Sequence, residues 1–120
     1  MKIGQRGELL AASYLEKQGY QILSRNFSCK LGEIDIVAGR DDIICFVEVK
    51  SRRGAKYGRP AEAVTANKRE HIRRTASYFL FSKWRDLPIR DDTCFRFDVI
   101  EIFCAEGGDV RVEYIENAFC

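Results

Sequence analysis

The stretch Gly32 to Arg52, GEIDIVAGRDDIICFVEVKSR, constrains the fold more than any other part of the chain. Two largely apolar segments, Glu33 to Ala38 and Ile43 to Lys50, flank the turn-forming letters GRDD, a pattern that predicts an antiparallel hairpin. With Asp41-Asp42 at the tip, Ala38 pairs with Cys45, and Asp35 lies directly opposite Glu48. Strand alternation then sorts the side chains: Ile34, Ile36 and Ala38 share an apolar face with Cys45, Val47 and Val49. Glu33, Asp35 and Val37 share the other face with Phe46, Glu48 and Lys50. A slip of one residue would undo the opposition, so the register is the first expectation a structure must meet.

Two carboxylates opposed across a ladder stand about 5 Å apart and repel by roughly 1–3 kcal/mol, depending on the local dielectric. A positive charge is expected between them. Lys50, two residues beyond Glu48 on the same face, offsets part of the repulsion. A divalent ion offsets more, because Mg²⁺ is typically held by one or two carboxylates together with waters and substrate phosphates. That arrangement suits phosphodiester hydrolysis, with Lys50 orienting or deprotonating a water and steadying the developing negative charge. The competing reading of the same letters is a structural salt-bridge cluster of Asp35, Glu48 and Lys50.

Composition narrows the chemistry further. At 120 residues, 46% hydrophobic and 32% charged, the chain is expected to form one globular domain. Its longest apolar runs, Ile43 to Val47 and Tyr78 to Phe81, are far too short to cross a bilayer, and no signal-like segment follows Met1-Lys2; a cytoplasmic location without a membrane partner is the expectation. The five cysteines are widely spaced, lack any C-x-x-C pair, and read mostly as small core residues. His71 is the only histidine, which excludes a histidine-built metal site or Ser-His-Asp machinery and leaves carboxylates and lysine as the chemical resources.

The rest of the chain places these residues. Helical spacing runs from about Ile3 to Gln18 and stops at Gly19; a short strand is expected from Tyr20 to Asn26. Lys50 to Arg59 reads as a basic loop, and Thr65 as the N-cap of a second helix with Ile72, Ala76, Phe79 and Leu80 buried. Closing strands are expected at Arg96 to Cys104 and Val110 to Glu116, around the turn AEGGD. The order α, three strands, α, two strands predicts an α/β sandwich on a mixed sheet. Glu8, at the edge of the first helix's apolar stripe, is a candidate for facing the hairpin acids, and Lys68 for donating to a phosphate or a catalytic water.

Charge is segregated as a phosphate-binding surface requires. Net charge is +2, yet nine basic residues between Lys50 and Arg74 face only two acids, Glu62 and Glu70. Arg52, Arg53, Lys56, Arg59, Arg69 and Arg73 are therefore candidate nucleic-acid contacts, with Tyr57 a candidate for stacking on a base. Trp84 and the run Tyr78, Phe79 and Phe81 read as core rather than as a base-stacking platform, and Asp98 in RFD as a partner of Arg96 or Lys50.

Set in sequence, Glu8, Asp35 and EVK at Glu48 to Lys50 resemble the PD-(D/E)XK nuclease superfamily, and the acid on the first helix is most similar to archaeal Holliday junction resolvases. More closely, nearly the whole chain resembles the bacterial YraN-like family. The stretches that carry this are GQRGELLAASYLEKQGYQILSRN (Gly4 to Asn26), GEIDIVA (Gly32 to Ala38), FVEVKSR (Phe46 to Arg52), AVTANK (Ala63 to Lys68) and RFDVI (Arg96 to Ile100). The resemblance implies a restriction-endonuclease-like αβββαββ core with helices flanking a mixed central sheet. It also implies Glu8, Asp35 and Glu48 as metal-site acids for Mg²⁺ or Mn²⁺, a backbone carbonyl from Val49, Lys50 as the catalytic lysine and Lys68 as an auxiliary. Ile34 stands where the superfamily's name has proline, a position without chemistry of its own. The implied partner is DNA, branched or damaged, and a homodimer would suit a symmetric junction. Two further readings stand beside the nuclease: a non-catalytic nucleic-acid-binding module of the same fold, and a protein-interaction domain.

Overall fold

The computed structural model of the chain describes residues 3–53, 65–104 and 107–119. The elements follow the expected order: α1 (Ile3–Lys17), β1 (Gln21–Cys29), β2 (Gly32–Arg40), β3 (Ile43–Arg53), α2 (Ala66–Lys83), a short 3-10 turn (Trp84–Asp86), β4 (Cys94–Cys104) and β5 (Val110–Phe119). The five strands form one mixed sheet in the order β1-β2-β3-β4-β5. Only the β3–β4 pair is parallel, which the crossover through α2 makes possible. Among the described residues no helix is long and apolar enough to cross a membrane.

The helices lie on opposite faces of the sheet, and the strand letters show why. Central β3 is buried on both faces, with Ile44, Cys45, Phe46 and Val47 all 2% exposed or less. On one side Ala11, Ala12 and Leu15 of α1 pack against Ile36, Ala38, Cys45, Val47, Ile100 and Ile102. On the other, Ala76 and Phe79 of α2 meet Ile34, Val37, Ile44 and Phe46, while Ile72 packs with Val99 and Phe119. Thr65 caps α2 by accepting the Lys68 amide at 3.2 Å.

Two glycines set how closely helices and strands approach. A Cβ on Gly7 would meet the Ser51 hydroxyl at 2.0 Å, so α1 lies tight against the end of β3 and brings Glu8 to that end. Gly32, with φ of +151°, stands where a Cβ would come within 2.9 Å of the Thr75 hydroxyl and pins the start of β2 to α2.

The hairpin register is the expected one for five pairs, from Arg40 and Ile43 to Ile36 and Val47. There the ladder ends. Beyond it β2 pairs only with β1, and β3 only with β4 as far as Arg53. Three expectations need correction here. Ile34 packs on the α2 side rather than with Ile36, because a strand that has lost one neighbour is free to coil. Ser51 to Arg53 belong to β3 rather than to a loop, held by parallel pairing to β4 that hairpin reasoning does not contain. Of the four described cysteines only Cys45 is buried, Cys29 and Cys104 being half-buried and Cys94 exposed.

A second polar feature braces the β4–β5 end. Asp98 is fully buried at a register shift between the two strands and is surrounded by donors: the Arg96 guanidinium (2.9 Å), the Tyr114 hydroxyl and the amide of Asn117 (2.8 Å), itself at φ +52°. Arg96 also reaches the Tyr20 hydroxyl just past α1 (2.7 Å). Of the two partners expected for Asp98, Arg96 is the one it takes. Removing one member of a buried pair leaves the other charge uncompensated. Asp98→Ala is therefore expected to cost about 3–5 kcal/mol in urea unfolding, whereas Glu70→Ala, which breaks exposed pairs to Arg73 and Arg74, should cost less than about 1 kcal/mol.

Candidate functional site

Where β2 and β3 part, a side chain takes over from the backbone. Asp35 Oδ2 accepts the amide of Val49 at 2.8 Å, filling the position a strand carbonyl would otherwise occupy. This fixes the Asp35 carboxyl at the mouth of the fork, one residue beyond the last pair. Burial pushes that carboxyl up to about 7; the charge of Glu48 across the fork adds to the shift, as does that of Glu8, and the Val49 amide opposes it. In an extended strand a residue's N–H and C=O lie on the same edge, so the Val49 carbonyl also turns toward the fork.

Glu48 is the other wall, and two lysines share it. Lys68 Nζ lies 2.7 Å and Lys50 Nζ 3.3 Å from Glu48 Oε1. The two ammonium groups respond in opposite directions. Burial pulls Lys50 below its ordinary range, and neighbouring Lys68 adds to the pull against the attraction of Glu48. At Lys68 burial acts in the same sense, but hydrogen bonds to Glu48 and Lys50 and the charges of Glu48 and Asp35 outweigh it, so Lys68 is shifted up. The two ammonium groups are thus shifted apart, Lys68 up and Lys50 down.

These groups open into a cleft of about 280 Å³ lined by Glu33, Asp35, Glu48, Val49, Lys68, His71 and Ile72. Glu8 is half-buried and near enough for its charge to act on Asp35. Among the described residues, however, no three acidic, histidine or cysteine side chains stand close enough together to hold a metal ion as they are placed. What converges is a pair of carboxylates with a third nearby and a backbone carbonyl on the same edge. Hard oxygen donors of this kind, few in number, are the set Mg²⁺ accepts when waters complete its shell. The raised pKa of Asp35 comes first from burial, with the charge of Glu48 adding to it. The donor set fits a divalent ion.

Of the expected phosphate-binding residues, Arg52, Arg69 and Arg73 are described, and each engages a different neighbour. Arg52 lies 3.7 Å from Glu101, a fully buried acid. Arg69 stands over the Phe119 ring at 5.8 Å, and Arg73 bonds Glu70 at 3.2 Å. The Arg53 side chain, Lys56, Tyr57 and Arg59 lie outside the described residues. Two side chains at or beside the site were not among the expected ones. His71, set aside for lack of partners, faces the cleft one turn after Lys68, its Nδ1–H donating to the Leu31 carbonyl at 3.3 Å; the i, i+3 spacing of Lys68 and His71 was the available signal. Glu101 pairs across the β3–β4 ladder with Lys50, and neither of its oxygens has a hydrogen-bond partner among the described residues. Only the parallel β3–β4 pairing brings it there.

The described aromatics also need correction. Phe79 is core at 2% exposure, but Tyr78, Phe81 and Trp84 are 46%, 85% and 53% exposed, because α2 lies on the sheet by its Ile72–Ala76–Phe79 stripe and turns these rings outward.

Comparison with known proteins agrees with this whole-chain pattern. Residues 7–102 match the model of a family described as "Uncharacterised protein family UPF0102". A "UPF0102 protein" of Caldicellulosiruptor saccharolyticus is 43% identical over 120 residues, covering 98% of this chain and 97% of that protein. Another, from Clostridium acetobutylicum, is 49% identical over 119 residues, covering 98% and 93%. One from Alkaliphilus metalliredigens is 44% identical over 117 residues, covering 98% and 96%.

The state of Asp35 has a measurable consequence. A carboxyl whose folded pKa lies above its unfolded one stabilises the fold fully below the unfolded value, near 4, and loses that contribution as pH rises through about 7. In metal-free buffer Asp35→Asn, which keeps an oxygen for the Val49 amide, is expected to raise the melting temperature at pH 8. Below pH 4 the difference should vanish. Calorimetric melts of the two proteins across that range check the sign.

Proposed function

We propose, for a chain that belongs to the UPF0102 family, that it is a divalent-metal-dependent nuclease hydrolysing DNA phosphodiester bonds, built on a restriction-endonuclease-like core. The observation that carries this reading is the fork itself. It places a carboxylate pair, one member shifted up to about 7, beside two lysines shifted in opposite directions. Perturbed acids and bases gathered in one cleft are the mark of chemistry rather than of surface pairing.

In this reading Asp35 and Glu48, with Glu8 and the Val49 carbonyl, would hold Mg²⁺ or Mn²⁺. Such an ion, when bound, supplies Lewis-acid polarisation of a phosphoryl oxygen and a lowered pKa for water. The protein's own groups do the rest. Val49 orients Asp35 through its amide, so the acid needs no rearrangement to face the substrate. Lys50, whose ammonium burial and Lys68 make easier to deprotonate, would orient the attacking water and, once it has released its own proton to solvent, take one from that water as the neutral amine. Lys68, held cationic by Glu48, stabilises the negative charge that grows on the phosphate. Basic residues on β3 and α2 favour a polyanionic substrate, and a homodimer would suit a branched one.

A second reading has its own support: Glu48 is already matched by two ammonium groups, as in a non-catalytic nucleic-acid-binding module. The two separate cleanly. Labelled duplex, single-stranded and four-way DNA, incubated with the protein and Mg²⁺ or Mn²⁺, are expected to be cut, and Asp35→Asn and Lys50→Ala should each slow cleavage by about 100-fold or more. Cleavage that persists equally in both variants refutes this site. Metal titration by calorimetry is expected to show binding that Glu48→Gln removes; a protein that binds DNA in a salt-dependent manner but takes up no metal is the binding module instead.

A further inference from the structure

We infer that the exposed rings of Tyr78, Phe81 and Trp84 stack the unpaired bases of a nucleic-acid strand entering or leaving the cleft, so that the substrate class is DNA with a single-stranded flank. This rests on the nucleic-acid reading of the cleft and adds to it a surface and a selectivity.

All three rings are exposed rather than packed in the core. They lie off the buried stripe of α2, Tyr78 and Phe81 about one turn apart on the helix and Trp84 at the start of the 3-10 turn that follows it. A helix stabilised only by its core contacts would carry polar residues there. Tyr78 is not loose: its ring lies against Phe27 at 6.2 Å. On either side of Tyr78 runs a groove. One, of about 480 Å³, is walled by Arg73, Arg74 and Phe81; the other, of about 730 Å³, by Phe27, Lys30 and Lys83. Both include Leu31, whose carbonyl accepts from His71 on the cleft wall, so one hydrogen bond links the side of the grooves to the wall of the acid–lysine cleft.

Charge selects the occupant. Lys30, Arg73, Arg74 and Lys83 border the ridge, and the single acid among them, Glu70, is shared by the two arginines. Rings framed by excess cations complement a chain of stacking bases joined by phosphates. Accessibility selects its form: a ring stacks only on a base face left open, and a duplex keeps its base faces stacked on one another, so the favoured occupant is a splayed single strand.

Trp84 is the only tryptophan, so the ridge carries its own probe. In EDTA, where metal-dependent cleavage is silent, a short oligothymidylate is expected to quench its emission saturably. Phe81→Ala and Tyr78→Ala should each weaken binding roughly 5- to 150-fold, and Phe81→Tyr should restore it. Blunt duplex should bind all these proteins alike. Unchanged oligothymidylate affinity in both alanine variants overturns the proposal, as does unquenched Trp84 at saturation. So does a dimer of the wild type that Phe81→Ala converts to monomer, since a second copy would then cover the ridge. Wild-type protein that is quenched by oligothymidylate but cleaves no DNA with Mg²⁺ or Mn²⁺ counts against the nuclease alone, and wild-type cleavage without quenching counts against the ridge alone.

Discussion

The hydrogen bond from the Val49 amide to Asp35 is the interaction on which the site depends. Two paired strands ordinarily satisfy each other's backbone and leave no room between them. Here the ladder stops after Ile36 and Val47, and a carboxylate takes the next amide, so the strands separate without stranding a donor. The same substitution places an acid in a half-buried position at the head of a cleft. Everything else converges on that opening: α1 brings Glu8 through the close approach of Gly7, α2 brings Lys68 and His71, and β3 brings Glu48 and Lys50.

Charge in the cleft is unevenly balanced, and magnitudes show which groups are settled. Glu48 has two ammonium groups within 3.3 Å, while Asp35 has a backbone amide and the repulsion of Glu48. The lysine pair is half-exposed, so solvent screens much of its attraction and each contact contributes little to stability. Asp35, by contrast, is buried with the Val49 amide and the charge of Lys68 offsetting only part of its desolvation. The β4–β5 end shows the opposite solution. Asp98 is buried completely, yet Arg96, Tyr114 and Asn117 surround it, and it braces the fold where Asp35 strains it.

Much of this was legible in the letters, for identifiable reasons. The register of Ile36 to Arg40 against Ile43 to Val47 follows from alternation and the GRDD turn, both local. The cap at Thr65 and the stripe Ile72, Ala76, Phe79 are equally local. What was not legible depends on partners distant in sequence. Ile34 changes sides because β2 loses β3 as a neighbour, and Glu101 meets Lys50 only through parallel pairing. The run Tyr78 to Phe81 is apolar around the helix, so composition alone could not say which ring the sheet would take. His71 was discounted because histidine chemistry was sought in sequence partners, whereas its neighbours are supplied by β2 and β3.

The parallel β3–β4 pairing also governs how the chain reaches this state. The three strands β1 to β3 are joined by short turns and assemble from local contacts, but β4 must cross back over α2 to pair with residues 51 positions earlier, and such non-local pairing forms late and slowly. Until it arrives, β3 presents the unpaired edge of an almost wholly apolar strand, Ile43 to Val47, to any other chain in the same condition. Docking of α2 and β4 is then the step that separates folding from aggregation. The central strand that carries Glu48 and Lys50 to the cleft is, before that step, the most association-prone surface of the molecule.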